Sequence, residues 1–505
     1  MIEAVLTNLR TYWMVHLLLA GYTLLLAYHA WEGIRGTKGV TDYYVGGRTM
    51  GGVTLGLSFF ATYSSTNSFV GFSGQAYDWG LPWLLFVPTA VVFCLFAWTV
   101  VAPRLRDFTA ELGSLTIPDF IGFRFASTPA RVLAAVIVIV ASFLYMTAIF
   151  KGIGNLLEVF LDIPYRTAIW IVFVVVFLYT AIGGFISVVK TDSVQGVVMI
   201  FAAILLFSGT VGAAGGLGSF WEVRSQPGGA ELFEWGGGVA VPVLLGVMFA
   251  GLIKFVVDPR QLSRFYALEG RAAARTGLWV STLTFGGVYA LLIPVGIYAR
   301  RIFPDGMEDT DLVVPSLLIE ANVFNEGVAA FLLVAMVAAA MSSLDSVLLV
   351  MASTAERDVV GVLRGVRTEH HEIQWTRGWI FLFALVTAII SLDPPGGIVT
   401  LTAFSGSLFG ACFFPAIVLG LYWPRGSGAG VVASFVVGVG VLLGWSRMPG
   451  SDVVHEVFPA LFLSTLTYVA VSVGTDGGGV ARVAGMFGGA AKPVEERREP
   501  AARAG

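Results

Sequence analysis

Thirteen stretches of this chain are long and apolar enough to cross a hydrocarbon layer, and this constrains everything else the chain can do. A helix rises 1.5 Å per residue, so about 20 mainly apolar residues span a bilayer core. The stretches cover residues 12–31, 51–77, 80–102, 131–150, 167–187, 191–213, 239–258, 277–299, 328–352, 376–393, 396–422, 428–446 and 454–474, here spans 1 to 13. Composition agrees. Of 505 residues, 56% are hydrophobic and 12% charged, against roughly 25% charged in a soluble domain. So few charges cannot cover the surface of a soluble protein this large. The expected fold class is an all-α integral membrane protein.

Span 1 is too long for a signal-peptide core and lacks a small-residue cleavage site, so it is expected to be retained. The connection 102–130, with Pro118, Phe120 and Phe123, is expected to lie along the membrane surface as an amphipathic element. Residues 475–505 turn Gly/Ala-rich and then charged (Glu495, Glu496, Arg497, Arg498, Glu499), the pattern of a disordered tail. Orientation follows from Lys and Arg placement. With the N-terminus outside, 22 of the 30 basic residues fall on the cytoplasmic side. Among them are Arg35, Lys38, Arg48, Arg104, Arg106, Arg260, Arg264, Arg271, Arg275, Arg357, Arg364 and Arg367. Seven, including Arg224, Arg300 and Arg301, fall outside, and Lys254 lies within span 7. The expected topology in the plasma membrane is N-terminus outside, C-terminus cytoplasmic.

Several function classes drop out. A net charge of -3 with no basic stripe gives nucleic acid nothing to bind. Cys94 and Cys412 sit in apolar runs and read as small core hydrophobes. His16, His29 and His455 are isolated, and His370 and His371 adjoin in a charged loop. With no HExxH, GxSxG or P-loop, neither an enzyme nor an ATP-driven pump is expected. A channel needs a continuous polar stripe, whereas here polar residues occupy short segments of different spans. Nothing in the sequence calls for an obligate protein partner.

Those polar segments mark the interior of the bundle. In span 2, seven polar residues run from Thr62 to Ser68 after Ala61. No helical face holds seven consecutive residues, so the segment is either enclosed by protein or unwound. Irregular backbone at membrane depth is tolerated only when buried or lining a cavity, and unwinding frees carbonyl oxygens, hard ligands suited to Na⁺. Ser/Thr bonding between close helices is the other reading. Span 9 carries three alanines, then Met341, Ser342, Ser343, Leu344, Asp345 and Ser346. An intramembrane carboxylate costs at least ~2.5 kcal/mol. Asp345 is therefore functional, protonated or bonded to neighbouring hydroxyls. At the start of span 6, after Gly183 and Gly184, Thr191 or Asp192 fits a helix N-cap. Lys254 and Asp258, four residues apart, read as an ion pair or a snorkelling lysine. Arg260 and Arg264 beyond them read as topology signals. In the expected orientation the span 2, span 6 and span 9 clusters all fall in the cytoplasmic half of the bundle.

At these residues the chain resembles the sodium/solute symporter family, whose members transport proline, pantothenate, monocarboxylates, sialic acid and sugars. The resemblance runs from Asp42 to Trp423. It rests on DYYVGGR before span 2, ATYSSTNSFVGFSGQAY within it, GGFISVVKTDSVQ into span 6, DPRQLSRFYA after span 7 and AAAMSSLDSVLL in span 9. It implies a five-plus-five inverted-repeat core of the LeuT type, with broken helices at spans 2 and 7. The repeats would occupy 51–213 and 239–422, between an extra helix and loop at 1–50 and two helices at 428–474. It also implies a sodium site built from the carbonyls of Ala61, Ser64 and Ala339 and the hydroxyls of Ser342 and Ser343. Asp192 resembles a residue that assists sodium release or completes a second ion site. Where that site takes serines in some members, this chain has Asp345 and Ser346, so Asp345 either strengthens a cation site or carries a proton.

Solute is expected against Tyr63, Asn67, Ser68 and the facing wall of span 7. Sugar-transporting members place an amide or acid after the sodium segment and a glutamate near the top of the next helix. Here Asn67 and Ser68 follow and the next helix begins Leu81-Pro82-Trp83, so a hexose is not expected. The segment is closest to the pantothenate, monocarboxylate and proline branches. The expectation is Na⁺-coupled symport of a small polar or anionic solute; the alternative is proton coupling through Asp345 and Asp192.

Overall fold

The computed structural model describes residues 10–320, 323–365, 369–451, 453–475 and 486–487. Arg367 and nearly all of the expected tail, including residues 495–499, lie outside the described residues. The described residues are helices and their connections, with one isolated backbone bridge between Met50 and Leu268.

Among the described residues, eleven helices are long and apolar enough to cross a membrane. Length and composition thus give eleven where thirteen were expected. The other two expected spans are shorter for physical reasons. Span 2 is cut: the helix Gly52–Tyr63 ends where Ser64 turns extended (ψ 100), and helix resumes over Asn67–Gly71 and Phe72–Trp79. The side chain of Ser65 caps the second half by accepting from the Asn67 amide. Span 5 is the apolar helix Tyr165–Ala181, which continues into span 6 as Tyr165–Ala213 through a kink at Gly184 (φ 62, ψ -173). That backbone is open to glycine and to almost nothing else.

Other expected boundaries change. Span 4 is Thr128–Leu161 and takes in residues 151–161, which had been placed between spans 4 and 5. Ser127 caps it by accepting from the Ala130 amide. Span 7 runs Val241–Leu252 and Lys254–Val257, breaks at Asp258 (ψ 121), and resumes as Pro259–Tyr266. Asp258 as N-cap with Pro259 behind it is a strong restart signal, because Pro cannot continue the helix before it. The 102–130 connection forms Ala102–Leu112 and Ile117–Arg124. Ile117, Pro118, Phe120 and Ile121 are buried against protein, so this second helix is docked on the bundle rather than peripheral. Asp119 pins it there between Arg131 (2.8 Å) and Arg357 (2.9 Å).

Several arginines that carried the charge bias also close helix ends. Arg104 donates to Leu421 O, Arg124 to Gly420 O and Trp423 O, and Arg106 to Leu268 O. Arg104 and Arg124 meet carbonyls at the end of the span 11 helix that lack an intrahelical donor, and Arg106 meets one just past the helix Pro259–Tyr266. Burial separates core from periphery. In span 9, Glu326–Thr354, nearly every residue from Ala329 onward is buried. Span 1, Trp13–Gly36, buries only Val15, Leu26, His29, Ala30 and Gly33.

Candidate ion and solute site

The break in span 2 leaves the carbonyls of its last turn without helical donors, and span 9 supplies them. Ser342 Oγ lies 2.9 Å from Ala61 O and 2.8 Å from Ala339 O. Ser343 Oγ donates to Thr62 O at 2.9 Å and accepts from the Tyr145 hydroxyl at 3.4 Å. Four of the five residues expected to hold a cation therefore converge. The fifth, Ser64, sends its hydroxyl to Tyr289 in span 8 (3.3 Å). The Thr62 carbonyl, which the sequence reading did not include, also stands with the group. Gln261 holds the broken end in place, its side chain 3.1 Å from both Phe59 O and Tyr63 N.

Asp192 is not a helix cap. It lies two turns past the Gly184 kink, and its Oδ2 accepts from Ser58 (2.7 Å), Thr62 (3.0 Å) and Arg264 (2.7 Å). Arg264 is no surface charge either: it is 1% exposed and also donates from Nη2 to Ser346 Oγ at 2.7 Å. Asp345 is fully buried, its Oδ1 taking a 3.3 Å contact from Ser346. Asp192 Oδ1 and Asp345 Oδ2 have no hydrogen-bond partner among the described residues. Spans 2, 6, 7 and 9 thus meet around two carboxylates and one guanidinium. Span 1 closes the far side through His29 to Thr191 and Tyr22 to Gln195.

Lys254 does not pair with Asp258, although the turn between them is helical, with the Asp258 amide donating to Lys254 O at 3.0 Å. Asp258 pairs with Arg260 instead, at 2.7 Å. Lys254 neither snorkels nor pairs: it is buried and donates to Thr402 O at 3.1 Å. Of the residues expected to meet solute, Tyr63 faces span 7, its hydroxyl on Gly251 O (2.9 Å) and its ring 4.3 Å from that of Phe255. Ser68 turns to Tyr289 at 3.2 Å. The Asn67 side-chain oxygen is buried and has no partner among the described residues.

The model of the sodium:solute symporter family matches residues 43–438. The chain belongs to that family. It is 29% identical to the sodium/pantothenate symporter of Haemophilus influenzae over 454 residues, covering 86% of this chain and 91% of that one. It is 30% identical to the high-affinity proline transporter of Bacillus subtilis over 465 residues, covering 89% and 95%. Among solved structures it resembles an outward-open, substrate-bound Na⁺-coupled sialic acid symporter, with a TM-score of 0.77 at 18% identity over 92% of this chain and 98% of that one. That likeness establishes the LeuT-like fold. The chain is a transporter of the membrane, not an enzyme.

Sequence reasoning about this symporter missed Thr62 O, Arg260, Arg264 and Tyr145 as site residues. One signal was available. Arg260 and Arg264 follow a Pro-capped restart at helical spacing of four, which places both on one face of a short helix.

Proposed function

We propose that this symporter carries Na⁺ together with a small polar or anionic organic solute, such as pantothenate, a monocarboxylate or proline. The observation that supports it best is the convergence of Ala61 O, Thr62 O and Ala339 O on Ser342 Oγ and Ser343 Oγ, all at 2.8–2.9 Å. Each hydroxyl has one hydrogen and two lone pairs. As Na⁺ arrives, the hydrogens turn aside and the lone pairs face the ion beside the carbonyls. The ion then joins span 2 to span 9, which are otherwise linked there by hydroxyl donors. Solute binds next to Tyr63 and Asn67. On the other side Na⁺ leaves past Asp192 into a narrow cavity lined by Thr116, Arg264, Ser346 and Ser353.

Spans 2 and 7 each head a repeat, 51–213 and 239–422, and both are broken near mid-length, which suits two inverted units rocking about the site. Thirteen spans, with the N-terminus outside the plasma membrane, complete the arrangement. A tenfold Na⁺ gradient supplies ~1.4 kcal/mol and 100 mV another ~2.3 per charge. One Na⁺ therefore supports roughly 500-fold accumulation of a solute without net charge.

Purified protein in proteoliposomes, loaded with K⁺ and diluted into Na⁺, is expected to accumulate labelled pantothenate, lactate or proline. Uptake equally fast in Na⁺-free buffer, and lost on collapsing a proton gradient, overturns Na⁺ coupling. It favours instead a proton carried on Asp345, whose Oδ2 has no donor among the described residues.

A further inference from the structure

Two groups of buried charges, one in span 7 and one around Asp192, are each unbalanced. Lys254, Asp258 and Arg260 of span 7 are each at most 3% exposed. Arg260 takes both oxygens of Asp258, through Nε (2.7 Å) and its own amide (3.0 Å). Lys254 is left with one neutral acceptor, Thr402 O, and the ring faces of Tyr145 and Tyr63 at 4.9 and 5.6 Å. The Arg260 guanidinium lies 3.6 Å over the same Tyr145 ring, and its Nη2 is buried with no hydrogen-bond partner among the described residues. Two cations therefore face one carboxylate. The second group, Asp192, Asp345 and Arg264, has the opposite excess. An unpaired charge held away from water is costly, so each group calls for a ligand of opposite sign or the loss of its excess charge.

Resting on the symport reading above, we propose that the transported solute bears a carboxylate, received by Lys254 and the free Nη2 of Arg260 beside Tyr63 and Tyr145. The site is built for it. Gly406 abuts the Ala250 carbonyl so closely that a Cβ there would sit 1.8 Å from the oxygen. That approach of span 11 to span 7 brings Thr402 O to the ammonium and holds it in place. An ammonium has three donors, so Lys254 keeps two for an anion, and a guanidinium edge is a natural carboxylate donor. Thr62 joins the two groups: its carbonyl accepts from Arg260 at 3.2 Å and its hydroxyl donates to Asp192. Carboxylate in one group and cation in the other then favour each other, and by linkage the effect is mutual.

The test uses purified full-length protein and its thermal unfolding midpoint in NaCl. Three probe pairs differ in charge: L-proline and L-prolinamide, pantothenate and pantothenol, lactate and lactamide. At least one acid is expected to raise the midpoint while its neutral or amide counterpart, at equal concentration, does not. K254Q is expected to weaken that acid at least tenfold. K254M without solute is expected to melt no lower than wild type, because the ammonium it removes is uncompensated. The proposal is overturned if the counterparts lacking a carboxylate stabilise as well as the acids, or if no acid stabilises. It is also overturned if K254Q binds within twofold of wild type, or if K254M alone melts several degrees lower, as a structural lysine would. An acid that stabilises equally in KCl and NaCl overturns the Na⁺ reading and leaves the carboxylate assignment standing.

Discussion

Ser342 Oγ stands 2.9 Å from the Ala61 carbonyl oxygen across 281 positions of chain, while remaining 2.8 Å from Ala339 O of its own helix. One hydroxyl thus ties the open end of a broken helix to one of the most enclosed spans of the bundle. A cation bound there acts on both elements at once, which is the requirement for coupling an ion to a rearrangement of helices.

Ser342→Ala removes the hydroxyl shared by the two carbonyls. The loss of one oxygen ligand and its buried hydrogen bonds is worth ~1–3 kcal/mol. The Na⁺ concentration giving half-maximal uptake is expected to rise ~10- to 100-fold. Uptake measured against Na⁺ concentration in proteoliposomes checks this, and an unchanged curve removes Ser342 from the ion site.

Asp192→Asn strips Arg264 of the one carboxylate it pairs with among the described residues. Breaking one side of a buried pair costs ~3–5 kcal/mol, whereas removing both sides costs far less. The single variant is expected to melt well below wild type, and Asp192→Asn with Arg264→Gln to recover more than half of the loss. Additive midpoints would instead mean that the two residues act independently.

Asp345→Asn relieves the excess of carboxylates over cations beside Arg264. Its thermal midpoint in Na⁺-free buffer is expected to exceed wild type, and the further gain on adding Na⁺ to shrink. Comparative melting with and without Na⁺ reads both. A lower midpoint in both buffers would show that the charge on Asp345 is already compensated.

Gly406→Ala places a methyl group against the Ala250 carbonyl. Overpacking of this kind costs ~1–3 kcal/mol, and the strain is relieved only by moving span 11 off span 7. Thermal unfolding is expected to show a loss of several degrees, with reduced Na⁺-driven uptake in the same preparation. An undisturbed midpoint would mean the two helices have room to spare.

Much of the ion site was legible because its signal is one of kind: hydroxyls and a carboxylate have no business facing lipid, so a run such as Thr62–Ser68 stands out in one dimension. Ala61 and Ala339 were reachable only through family resemblance, since an alanine contributes a carbonyl that any residue could offer. Thr62 O escaped even that, because which carbonyls of a frayed turn face inward depends on where the helix ends. Lys254 and Asp258 were misread for a related reason. Four residues apart permits a pair only where nothing nearer competes, and Arg260, past the break, takes both oxygens of Asp258.

The sequence by itself determined that this protein lives in a bilayer, roughly where its helices run and which segments turn inward. Hydropathy acts on each residue locally, so those outcomes need no knowledge of neighbours. Tertiary structure alone decided that Arg260 and Arg264 are interior charges rather than surface ones. It likewise decided that Lys254 has no counter-ion among the described residues, and that Ser342 meets Ala61. Pairing of charges and hydroxyls is a property of distance, and these partners come from helices far apart along the chain.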